Sequence, residues 1–156
     1  MKTYKGMLAL LALQFGASAS AADARTQCGQ QADLVEVMLT VRADGFPRQG
    51  VEAELQKRYA TAPSGYWQQA VPQHLLKFAY KTDGLKPVAA REYFFNLCLT
   101  EAGDIHSDNT TAALFAVAKD CEQQFGSDKT KIKACVDQAI MPIITEAWNA
   151  KNKGTK

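Results

Sequence analysis

The chain predicts an all-α fold, a single compact bundle of about six helices stapled by two disulfides. Three observations carry that expectation. Between Ile132 and Trp148 apolar residues recur at alternating intervals of three and one, the mark of a helix with one buried face. Gly, Pro and Asp cut the remainder into segments of helical length, none of which has a neighbouring segment to pair with as a strand. Four cysteines, Cys28, Cys98, Cys121 and Cys135, follow a leader of the kind that delivers a chain to an oxidising compartment.

The leader comes first. Lys2 and Lys5 precede the apolar run Met7 to Phe15, broken only by Gln14, and a tract of small residues from Gly16 to Ala22 follows. This is the pattern of a secretory signal peptide over residues 1–22, with the cut after Ala21 or Ala22. The run is too short for a permanent anchor, and no second long apolar stretch follows. Thr26-Gln27 ahead of Cys28 lacks the context of a lipidated cysteine. The mature chain is therefore expected in the periplasm or secreted, with no membrane anchor after cleavage.

In the helical domain over 23–156, the segment from Asp33 to Arg42 can be read two ways. Leu34, Met38 and Val41 fit a helix, while Val35, Val37, Leu39 and Val41 alternate as in a strand. Helix is the better reading, because Gly45 supplies a stop and Pro47 suits the first turn of the next helix. That short helix carries Val51, Leu55 and Tyr59, with Glu54 and Arg58 spaced to pair, and Ala62-Pro63-Ser64-Gly65 breaks it. A third segment from Tyr66 to Lys81 places Trp67, Val71, His74 and Phe78 on one side, with Pro72 opening or bending it and Thr82-Asp83-Gly84 ending it. A fourth runs from Pro87 to Ala102, with Ala90, Phe94, Leu97 and Cys98, and stops at Gly103.

After a possible subdomain joint at 104–110, a C-terminal helical hairpin is expected over 109–149. Its first helix, Asn109 to Phe125, is capped by Ser107 or Asp108 and turns Leu114, Val117, Ala118, Cys121 and Phe125 inward. Its second carries Ile132, Cys135, Val136, Ala139, Ile140, Ile143, Ile144, Ala147 and Trp148, with a bend expected at Pro142. Gly126-Ser127-Asp128 makes the turn. Cys121 and Cys135 each lie seven residues from Asp128, so an antiparallel hairpin sets them opposite each other. That gives Cys121–Cys135 and leaves Cys28–Cys98. Zinc and dithiol redox chemistry both call for closely spaced cysteines, which this chain lacks.

Charge excludes one class of partner. The chain has 18 Lys+Arg and 16 Asp+Glu, and loss of Lys2 and Lys5 with the leader balances them. No half is a basic arm, so nucleic-acid binding has no electrostatic basis. Lys151, Lys153 and Lys156 read as a solvated tail.

Chemistry is sparse. His74 and His106 are the two neutral-pH bases. Asp104-Ile105-His106-Ser107-Asp108 would align Asp104, His106 and Asp108 if extended, yet it reads more simply as an acidic loop with a capping Asp. His74 reads as a core or boundary residue. Ser64 lacks a G-x-S-x-G frame, no C-x-x-C-H haem motif occurs, and Met38 or Met141 are core candidates rather than ligands. Glu92, Glu101 and Glu146 suggest no paired acid and base. No metal or other cofactor is called for. Tyr66, Trp67, Tyr80 and Tyr93-Phe94-Phe95 cover too much circumference for one core, so some lie between helices or at the surface, and Tyr66, Trp67 and Tyr93 are candidates for a contact patch.

Cys28, Arg42-Ala43-Asp44-Gly45, Val51, Leu55, Tyr59, Arg91-Glu92-Tyr93-Phe94-Phe95 and Cys98 together resemble a pattern of small exported helical proteins of Gram-negative bacteria. The resemblance covers the first two thirds of the mature chain and implies an exported helical domain with no activity attached. The functional expectation is a non-enzymatic module that binds a protein partner, as a periplasmic accessory, inhibitor or immunity-like protein. The alternatives are a small hydrolase or metal-dependent enzyme using His106, and a carrier of an apolar ligand.

Overall fold

The computed structural model describes residues 12–59, 73–82 and 84–153, with side chains from Ala22 onward except those of Glu52, Gln56, Arg58 and Tyr59. Its described residues form six α-helices: α1 (Ala12–Ala43), α2 (Val51–Tyr59), α3 (Gln73–Lys81), α4 (Pro87–Ala102), α5 (Asp108–Phe125) and α6 (Lys129–Lys153). A short 3-10 turn, Arg48–Gly50, leads into α2. The all-helical class and both expected disulfides stand in this structure.

α1 is helical through the stretch where strand and helix patterns competed. Leu34, Val35, Met38, Leu39 and Val41 are all buried there, because α1 lies against α2, α3 and α4 at once and hides more than one face. Its end is set by Gly45 at φ 91°, which only glycine adopts without strain. The Phe46 amide donates to the Val41 carbonyl and the Gly45 amide to that of Arg42, closing a Schellman turn. Arg42 then reaches the end of α3, donating to the carbonyls of Ala79 at 2.8 Å and Thr82 at 3.4 Å. A cation at a helix C-terminus is favoured by the helix dipole. The expected cleavage site falls within α1. Among the side chains described in α1, those of residues 22–27 are not buried and Cys28 is the first in the core.

α4 is the hub. It packs on α1, α5 and α6, and so buries residues all round, from Ala89, Ala90, Tyr93, Phe94 and Phe95 to the polar Glu92, Asn96 and Thr100. Its bounds are those read from Pro87 and Gly103, but the stop works differently. Gly103 is ordinary right-handed backbone, and the left-handed residue is Asp104 at φ 53°. Asp104 holds the turn through bonds from its own amide to the Glu101 carbonyl and from the Ile105 amide to that of Thr100. At the other end, Glu122 of α5 accepts the Lys86 amide at 2.5 Å, setting a carboxylate beside the positive end of α4.

α5 and α6 form the expected hairpin. Ser107 caps α5 by accepting the Thr110 amide at 3.1 Å, Gly126 turns the chain at φ 66°, and Asp128 accepts the Lys131 amide at 3.1 Å to start α6. α6 continues as one helix through Pro142. That residue sits on the exposed side, as does Gln138 one turn back, so the carbonyl left without an amide partner faces water. The disulfides close the two principal pairings: Cys28–Cys98 joins α1 to α4, and Cys121–Cys135 joins α5 to α6, with Cα atoms 5.7 and 5.8 Å apart. Between them lies one core in which Met38, Leu55, Leu75, Leu114 and Ile132 are fully buried. Cutting any of these to Ala removes about 2–5 kcal/mol.

Candidate functional site

The titratable residues singled out in the sequence do not converge. His106 is exposed, and its Nδ1 lies 3.4 Å from Thr111 Oγ1. Asp104 turns to Lys151 instead, at 3.1 Å, its left-handed backbone breaking the extended run that would have aligned it with His106. Asp108 starts α5 on the exposed side. His74 is exposed rather than on an apolar face: α3 buries Leu75, Leu76 and Ala79, and Phe78 marks the edge of that stripe. No group of three or more His, Cys, Asp and Glu with metal-binding geometry occurs among the described residues.

Of the three residues named for a contact patch, Tyr93 is the one described. Tyr93 is buried, its ring 5.8 Å from that of Phe78 and edge-on to Phe115 at 5.5 Å. Burial raises its phenol pKa, and the negative charge of Glu101 adds to the shift. Phe94 packs edge-on to Phe78 at 4.8 Å. These rings therefore sit between helices. Tyr66 and Trp67, like Pro72, Asp83 and the side chain of Arg58, lie outside the described residues.

The surface residues that stand out are on α6. Met141 is 60% exposed and Trp148 is 53% exposed, and these are the exposed large hydrophobics among the described residues. The sequence put Trp148 in the buried stripe. The start of α5 still runs alongside this part of α6, where Asn109, Thr110 and Ala113 line a groove with Ile143, Ala147 and Ala150, so Trp148 is exposed because it lies on a different face of α6 from the one turned to α5. Half-buried Ile144 lies between the two on the same face, giving a 141, 144, 148 stripe at helical spacing. Beside it runs a groove of about 340 Å³ lined by Arg25, Phe95, Leu99, Ile105, Met141 and Ile144. Arg25 stacks over Phe95 at 5.4 Å, forming one wall. Charged residues flank the stripe: Asp137, paired with Lys133 at 2.7 Å, and Lys151, which lies 5.9 Å above the Trp148 ring.

A second polar cluster lies at the boundary of the core. Arg91 of α4 bonds Asp33 at 2.7 Å and Glu92 at 2.6 Å and approaches Glu36 at 3.5 Å, while Lys129 of α6 closes on Glu36 at 2.9 Å. Burial pulls the Arg91 pKa down, but the bond it donates to Asp33 and the charges of Glu92 and Asp33 outweigh it and raise it. Glu92 is fully buried, and its Oε2 has no hydrogen-bond partner. The cluster ties α1, α4 and α6 together, running from buried Glu92 outward to exposed Asp33 and Lys129.

No protein-family model, curated protein or solved structure matches the chain.

Proposed function

We propose that the chain is an exported helical module that acts by holding a protein partner, and that residues 1–22 are a secretory signal removed on the way to the periplasm or the exterior. The observation that carries this reading is the stripe of Met141, Ile144 and Trp148 beside an open groove. Exposed large apolar side chains grouped on one helix face carry a solvation cost that contact with a partner removes, and Trp and Met are enriched at such contacts. Two disulfides support the choice of compartment, since they persist where thiols oxidise. Among the described side chains the core begins at Cys28, downstream of the proposed cut.

Binding suits these residues better than hydrolysis. A hydrolase centred on His106 needs an orienting carboxylate and a nucleophile within hydrogen-bond reach. Here Asp104 is engaged by Lys151, and the ring faces a threonine that follows a helix cap. The test is crosslinking pull-down of the native chain from its own envelope fraction, read by mass spectrometry and repeated with Trp148→Ala. A specific protein captured by the native chain and lost with the variant supports the reading. Turnover of any substrate that disappears in His106→Ala while the fold persists overturns it.

A further inference from the structure

The α6 stripe has an order that bears on its occupant. Read along the helix it runs Asp137, Met141, Ile144, Trp148, Lys151, with intervals of four, three, four and three. At 3.6 residues per turn these five positions fall on one seam, the spacing by which two helices pack along their lengths. The seam is acidic at one end, basic at the other and apolar between, and Ile144 lies at its centre. Laid antiparallel on a copy of itself about a two-fold axis through Ile144, each Asp137 meets the other copy's Lys151 and each Met141 meets the other's Trp148. A two-fold interface requires that kind of self-complementarity.

We propose that the partner on this face is a second copy of the chain, and that α6 pairs antiparallel with α6 of that copy through this seam. The inference rests on the reading of the chain as a binding module and names the occupant of its surface. In the pairing, each Trp148 is carried opposite positions 140 and 141 of the other copy, at the mouth of the groove lined by Phe95, Leu99 and Ile105. The indole thereby leaves water for an apolar slot, and the Met141 thioether reaches an aromatic edge, a favourable sulfur contact. In the single chain Asp137 pairs with Lys133, and Lys151 with Asp104 and the Gly103 carbonyl, all exposed contacts that exchange partners at little cost. Opposite charges at the two ends favour antiparallel over parallel pairing, which would set Asp137 against Asp137 and Lys151 against Lys151.

The experiment is sedimentation equilibrium of the chain expressed from its own Met1 and purified as the cell processes it. The native chain is expected to dimerise. Trp148→Ala weakens association at least tenfold while circular dichroism stays unchanged, since the side chain is half exposed. Asp137→Lys and Lys151→Asp each weaken it severalfold, and the two combined restore it. Rescue within one chain is ruled out by distance: the two positions are about 21 Å apart along the helix, more than two screening lengths at physiological salt. Ile144→Cys, at the axis, forms a covalent dimer on a non-reducing gel. A monomer at every concentration overturns the proposal, as does a dimer indifferent to all four changes. A monomeric chain that still captures a different protein through Trp148 overturns it while leaving the binding function standing. A monomer that captures nothing removes both.

Discussion

The two disulfides allow a comparison in which most errors cancel. Cys28–Cys98 closes a loop of 70 residues in sequence separation and Cys121–Cys135 one of 14. Loop-closure entropy removed from the unfolded chain grows with the logarithm of that length, giving about 4.4 kcal/mol for the first and about 3 kcal/mol for the second. Each bridge has one buried partner, Cys28 at 2% and Cys121 at 1% exposure, so the sulfur packing lost on substitution by alanine is similar in both. Cys28→Ala/Cys98→Ala should thus cost about 1.4 kcal/mol more than Cys121→Ala/Cys135→Ala, a tenfold difference in the unfolding equilibrium constant. Urea unfolding at one temperature, followed by far-ultraviolet circular dichroism, reads both. If the hairpin variant loses as much stability as the α1–α4 variant, or more, the unfolded-chain argument fails, and native packing across the hairpin carries the larger share.

Three further outcomes follow from single residues. Glu92→Met should raise stability by about 1 kcal/mol in thermal unfolding, because Arg91 keeps Asp33 and Glu36 while an unpartnered buried carboxylate oxygen is removed; a loss instead would show that Arg91 depends on Glu92. Asp104→Val should cost about 1–2 kcal/mol for its left-handed backbone, whereas Lys151→Ala, which removes exposed contacts to Asp104, the Gly103 carbonyl and the Trp148 ring and leaves the backbone unchanged, should cost under about 1 kcal/mol. The Asp128 carboxyl is held below its ordinary 3.8 by the Lys131 amide and ammonium group. A depressed carboxylate pKa adds stability that is fully present above 3.8 and lost as pH falls through the lower folded value. Native and Asp128→Ala proteins should therefore differ in thermal midpoint at neutral pH and converge in acid below that value.

Local punctuation was the most legible part of the sequence. Pro87 and the Ala102-Gly103 boundary gave α4 its ends, and seven residues on either side of Asp128 gave the hairpin bridge, because these depend on backbone chemistry within a few residues. Burial was harder to read wherever a helix met several neighbours. In α1 the mixture of strand-like and helix-like spacing reflects packing against three helices, and in α4 the aromatic run that suggested a surface patch is buried because that helix is surrounded. His74 was misplaced for the opposite reason. A stripe drawn through Phe78 follows the edge of the buried face, and Leu75 and Leu76 define its centre.

The α6 surface was hidden in the sequence by its own regularity. One continuous apolar pattern runs from Ile132 to Trp148, and periodicity alone gives no sign of how much of it a neighbouring helix covers. The packing of α5 decides which part of that broad pattern is covered: near its start it lies beside Ile143, Ala147 and Ala150, and Met141 and Trp148 are left on the exposed side. Asp104 at the C-terminal turn of α4 was equally hard to foresee, since glycine is the residue usually found at a left-handed position and one stood directly beside it.

The account depends most on delivery of this chain to a compartment where its sulfurs pair and leave α6 free to bind. Intact-mass spectrometry of the protein taken from its native cells, without reductant and with thiols blocked on lysis, tests that directly. The predicted species begins at Ala22 or Asp23, carries no blocking group and gains four alkylation sites only after reduction. A species that retains Met1, or that is alkylated at Cys28, Cys98, Cys121 or Cys135 before reduction, would contradict it.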